Sequence, residues 1–176
     1  AEPKWDSEGA SPTLAEGAFF QREWLKTEQV PPCSLWVRFW DFATTVKKTG
    51  DFTCGALCAM GPNQVLYVKD VTRFRAEWPE AHNMIVDVTE SDALRAREQG
   101  VRYVVGAESN SSQYAFVQQL MRHSLFDPMG EGMKVPLWPM RASADKKERA
   151  SGWAALARNG RFSMALGAWN QDFVAE

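Results

Sequence analysis

The stretch from Ser34 to Phe42 (SLWVRFWDF) is apolar, aromatic and strand-like. A two-residue alternation puts Leu35, Val37, Phe39 and Asp41 on one face. Thr49-Gly50-Asp51 is a turn signal. Phe52 to Met60 and Val65 to Phe74 are two further strand candidates joined by Gly61-Pro62-Asn63, so three consecutive strands are predicted to form an antiparallel meander. The period then changes. Pro79 suits a helix start, Met84, Ile85 and Val88 recur at helical spacing, and a second helical stretch from about Glu90 closes at Gly100. Val101 to Gly106 predicts a short buried strand. Asn110, Ser111 and Ser112 offer N-caps for a helix with Tyr114, Val117, Leu120, Met121 and Leu125 on its inner face. Asp145 and Glu148 make a capping box for a later helix that Asn159-Gly160 stops. Lys134 to Trp138 and Arg161 to Leu166 are weaker strand candidates on either side of it.

Before the first strand the chain has another character. Ala1 to about Gly17 is polar and rich in Pro, Gly, Ser and Glu, and reads as a linker or docking arm. Phe19, Phe20, Trp24 and Leu25 then form an aromatic cluster expected to pack on the domain, closed by Pro31 and Pro32. Residues 1–30 are therefore set apart from a domain over 31–176. Three strands followed by alternating helices and strands give an α/β class with a mixed central sheet, the element order of RNase H-like folds and of several other mixed folds. The helical crossover after the meander predicts that the Val101 strand runs parallel to a meander strand.

Composition narrows the chemistry. The 176 residues suit one compact domain with a real core. No apolar run approaches the roughly 18 residues of a membrane span, and nothing resembles a signal peptide. Cys33, Cys54 and Cys58 are odd in number and sit in apolar surroundings, as reduced core residues of a cytosolic protein do. His82 and His123 are the two histidines, and neither has a second ligand at zinc spacing. Oxygen-ligand chemistry is left open. A formal charge of -2 counts against a module that grips duplex DNA tightly.

Asp41 closes the first strand and Glu108 lies just past the strand from Val101. Side-by-side parallel strands would bring both carboxylates to one sheet edge, where they could hold hard cations for phosphodiester hydrolysis. The competing readings are that Asp41 only terminates a strand and Glu108 only favours a helix N-terminus. Asp51 and Asp70 fit turn and strand-end roles. Asp172, beside Gln171, Phe173 and Val174, reads as a helix cap. Lys146, Lys147 and Arg149 crowd the first turn of the late helix, where the dipole disfavours cations and an anion would explain them; a solvated basic face is the other reading. Arg73 and Arg75 could track a nucleic-acid backbone from a strand end. Trp36, Trp40, Trp138, Trp153 and Trp169 read as core rather than as base-stacking platforms.

From Gly17 onward the motifs GAFFQREWL, RFWDFATT with GDFT following, VVGAESNSSQ, ADKKERA and GAWN resemble the nuclease domains of phage terminase large subunits. That resemblance implies an RNase H-like metal-dependent endonuclease using two Mg²⁺ or Mn²⁺ ions to cut concatemeric viral DNA in the cytoplasm of a bacterial host. Asp41 matches the family's strand-ending metal ligand and Glu108 the acid after its fourth strand; Lys146 and Arg149 match its KxxR and would bind DNA phosphate. Double-stranded DNA, the ATPase domain, the small terminase subunit and the portal are the implied partners. In the family a third acid follows the GAWN motif, and this chain reaches Glu176 without it. No GxxxxGK[ST] loop occurs, so the packaging motor is not in these residues. Two rival readings are a non-catalytic DNA- or portal-docking module with a vestigial site, and another RNase H-like nuclease of resolvase or transposase type.

Overall fold

The structure, a computed structural model, describes residues 20–43, 51–110, 112–127, 130–142 and 146–175, with Lys146 and Lys147 as backbone only. The Ala1 to Gly17 arm and the Asp145 cap therefore lie outside the described residues. A 3-10 turn at Arg22–Trp24 leads into β1 (Lys26–Thr27), and the meander follows as β2 (Leu35–Asp41), β3 (Thr53–Met60) and β4 (Leu66–Phe74). Next come α1 (Glu80–Glu98), β5 (Arg102–Glu108), α2 (Tyr114–Met121), β6 (Leu137–Met140), α3 (Lys146–Arg158), β7 (Phe162–Met164) and α4 (Asn170–Ala175).

Seven strands form one sheet in the order β1-β7-β4-β3-β2-β5-β6. β2, β3 and β4 pair antiparallel, and β5 lies parallel to β2, as the crossover rule requires. The expected mixed α/β sheet is what the chain forms. Trp36, Trp40, Leu57, Ala59, Ile85, Val105, Val117 and Leu120 share one buried cluster. A second, smaller one joins Val68, Ala157, Phe162 and Met164, and Phe20, Trp24 and Leu25 pack against it as the aromatic cluster suggested.

Several sequence expectations are corrected. The two helical stretches are one helix, α1. Its interior has no glycine or proline to break it, and Thr89 Oγ1 donates back to Ile85 O at 2.7 Å. Tyr114, assigned to the inner face of α2, is exposed because that helix begins at Tyr114 and buries only Val117 and Leu120. Asp70 lies inside β4 rather than at its end. Trp36 and Trp40 are core, whereas Trp138 and Trp153 each keep a large exposed face, Trp138 because it stands on the edge strand β6.

Two aromatic residues of β2 explain two glycines. A Cβ on Gly55 would meet the Trp40 ring at 2.6 Å, and one on Gly106 would meet the Phe39 ring at 2.8 Å. Each ring lies across the neighbouring strand where only glycine leaves room. Gly106→Ala is expected to cost about 1–3 kcal/mol, the usual penalty for forcing a methyl into a filled space, and urea unfolding would measure it. An unchanged midpoint would show that Phe39 can swing aside freely.

Candidate metal centre

In β2 and β5, Trp40 pairs with Ala107 in parallel register, so Asp41 and Glu108 are the next residues of two adjoining strands. Strand alternation turns both away from the face that buries Trp40 and Ala107. The sheet thus brings the two carboxylates picked from the sequence to one edge. Asp41 is followed by Phe42, which is buried and set edge-on to Trp78 and Phe116. Ala43 N donates to Thr53 Oγ1 at 3.1 Å. The chain leaving Asp41 is anchored on both counts.

Each acid is held by a neutral amide. Gln113 Nε2 donates to Asp41 Oδ1 at 3.1 Å and to Phe42 O at 2.9 Å. Asn110 Nδ2 donates to Glu108 Oε1. The turn between β5 and α2 is closed by Gln113 N and Tyr114 N donating to Asn110 O at 2.8 and 3.0 Å. Asn110, one of the residues offered as an N-cap, therefore does something else: it turns its side chain back onto Glu108. Gln113 is a site residue that sequence reasoning missed. It closes the VVGAESNSSQ motif, and that motif is the signal that could have found it.

Arg149, in the first turn of α3, donates from Nη1 to Glu108 Oε2 at 3.0 Å. A predicted phosphate ligand is thereby joined to a predicted metal ligand. Lys146 is placed at the first position of α3, its side chain outside the described residues. Asp51 is exposed, and Asp172, also exposed, lies 4.0 Å from the partly buried Arg73. Neither reaches the two acids.

The donors present fit a hard divalent cation. They are carboxylate oxygens without histidine or thiolate, and Mg²⁺ is commonly held by one or two carboxylates with water and phosphate oxygens filling its remaining positions. Gln113 Oε1 is buried and has no hydrogen-bond partner, an additional oxygen with lone pairs to offer. Among the described residues no cluster of three or more His, Cys, Asp or Glu forms. No described helix is long and apolar enough to cross a membrane.

No protein-family model and no curated protein sequence matches the chain. Solved structures do. The large terminase nuclease from thermophilic phage G20c with bound zinc aligns with a TM-score of 0.51 and 14% identity, over 90% of this chain and 86% of that one. The same phage's large terminase nuclease with bound magnesium aligns with a TM-score of 0.51 and 13% identity, over 86% of this chain and 76% of that one. At that level of identity the likeness is one of fold: the chain has the RNase H-like α/β architecture of these phage terminase nucleases.

Proposed function

We propose that this chain is the metal-dependent endonuclease domain of a viral DNA-packaging terminase, cutting concatemeric DNA at the edge where Asp41 and Glu108 meet. The observation that supports this most is the pair of carboxylates ending neighbouring parallel strands, on a fold shared with a phage terminase nuclease. Asp41 and Glu108 would hold two Mg²⁺ or Mn²⁺ ions, which supply positive charge against the charge that builds on a phosphodiester as it is hydrolysed. The chain's own residues do the rest. Gln113 and Asn110 fix the two carboxylates, and Lys146 and Arg149 at the start of α3 bind backbone phosphate of double-stranded DNA, aided by the helix dipole. Residues 1–30 serve as the arm from an ATPase domain, docked through β1 at the sheet edge, and 31–176 as the nuclease; the small terminase subunit and portal are further partners in the host cytoplasm.

Nicking of supercoiled plasmid tests the reading. Cutting in Mn²⁺ that EDTA stops and that Asp41→Ala abolishes is the expected result. Cutting that survives Asp41→Ala in a folded protein would put the chemistry elsewhere. The absence of cutting by folded protein in either metal would favour a DNA- or portal-docking module, a reading supported by the two protein donors already on Glu108.

A further inference from the structure

Glu108 is only 7% exposed, and both its oxygens are taken, Oε1 by Asn110 and Oε2 by Arg149. A carboxylate that deep needs a positive partner, because burial alone penalises its charge. Arg149 needs an anion where it stands. It stands in the first turn of α3, where the helix dipole disfavours a cation. It reaches Glu108 through Nη1, and its Nε is buried with no hydrogen-bond partner. A guanidinium at its best geometry uses two nitrogens on one carboxylate. Asp41 is treated differently: its described partner is the neutral amide of Gln113. Of the two acids, one has a built-in cation and the other a neutral donor.

We infer that Arg149 is the internal counter-ion of Glu108 and competes with the divalent cation for that carboxylate. Cation entry releases the guanidinium, whose unfilled Nε and Nη groups then face a phosphate oxygen of the substrate. The inference builds on the metal reading of the site. It makes Arg149 an exchangeable group, engaged by the carboxylate before the cation arrives and by the substrate afterwards. A fixed clamp holding α3 to β5 predicts the opposite, since removing it would loosen Glu108 and weaken cation binding.

Mn²⁺ binding to the full chain, followed by the electron paramagnetic resonance of free Mn²⁺, separates these possibilities. Arg149→Gln is expected to bind Mn²⁺ about tenfold more tightly than the parent, a coupling of ordinary size between competing ligands. Arg149→Lys is expected to fall between the two. In the parent protein labelled with ¹⁵N, Mg²⁺ titration should move the Arg149 Nε resonance in step with site occupancy, a measurement that needs no variant to fold. Equal or weaker Mn²⁺ binding by Arg149→Gln, or an Nε resonance that stays fixed while Mg²⁺ saturates the site, overturns the counter-ion role and leaves the metal site standing. Mn²⁺ binding that Asp41→Asn does not alter removes the metal site and the inference together.

Discussion

Asp41→Asn is expected to slow metal-dependent cleavage about a thousandfold while moving the melting temperature by no more than about 2 °C. The fold loses little, because an asparagine Oδ1 can still accept the Gln113 hydrogen bond now made at 3.1 Å, and the side chain is only partly buried. Changes of that kind usually stay within about 0.5 kcal/mol, which is about 1–2 °C for a domain of this size. The chemistry loses a charged oxygen donor. Cation stabilisation of the reacting phosphate is worth several kcal/mol, and at 1.36 kcal/mol per factor of ten a loss of about 4 kcal/mol gives the thousandfold. Glu108→Gln should slow cleavage by a similar factor but also lower stability by about 1–2 kcal/mol, because the Arg149 guanidinium loses the charged acceptor at 3.0 Å. Initial rates of plasmid nicking and thermal melts of the two variants check both statements. An Asp41→Asn protein that keeps more than about a tenth of the parent rate would remove Asp41 from the cation site.

The antiparallel meander and its parallel neighbour were legible in the sequence because β2, β3 and β4 carry apolar periods broken by turn residues, and a helical crossover leaves one handed way back to the sheet; the places of β1, β6 and β7 were not, since these strands are too short to carry a period. The meeting of Asp41 and Glu108 at one edge was legible for the same reason: each sits where its strand stops, and parallel neighbours end at the same edge. Partners supplied by loops were not. Asn110 has a short polar side chain that suits a helix cap equally well, and only the turn geometry sends it back to Glu108. Gln113 gives no periodic signal. Arg149 could be placed on α3, but its pairing with Glu108 depends on how α3 sits over the sheet, which no local pattern encodes. Arg38 is the largest omission. An arginine inside an aromatic strand reads as a solvent-facing position, yet Arg38 is 1% exposed and points with Trp36 and Trp40 into the core.

That arginine leads to the second large expectation: Asp92→Ala should destabilise the fold by about 3–5 kcal/mol, the range seen when one partner of a buried ion pair is removed. Asp92, on α1, accepts from Arg38 Nε at 2.8 Å and Nη2 at 3.1 Å, from Tyr103 Oη at 3.1 Å and from Arg95. Burial, and after it the Asp92 charge, pushes the Tyr103 hydroxyl well above its usual range, so it stays protonated and donates. Arg38 also donates to Gly55 O and Asp70 Oδ2, each at 2.9 Å, tying β2 to β3 and β4. One carboxylate therefore fastens α1 to the centre of the sheet, and without it a buried guanidinium and a buried phenol lose acceptors together. Asp70, with 36% of its side chain exposed, can be replaced by water at the same guanidinium. Asp70→Ala should cost only about 1 kcal/mol. For a domain of this size the Asp92 change corresponds to a fall of about 10 °C in melting temperature. Equal losses in the two variants would mean that Arg38 finds a substitute acceptor in the core. Arg38 stands three residues before Asp41 on the same strand, with its side chain on the opposite face. Below the lowered melting point, then, cation binding at Asp41 should persist in Asp92→Ala, which separates what holds the sheet together from what the sheet edge does.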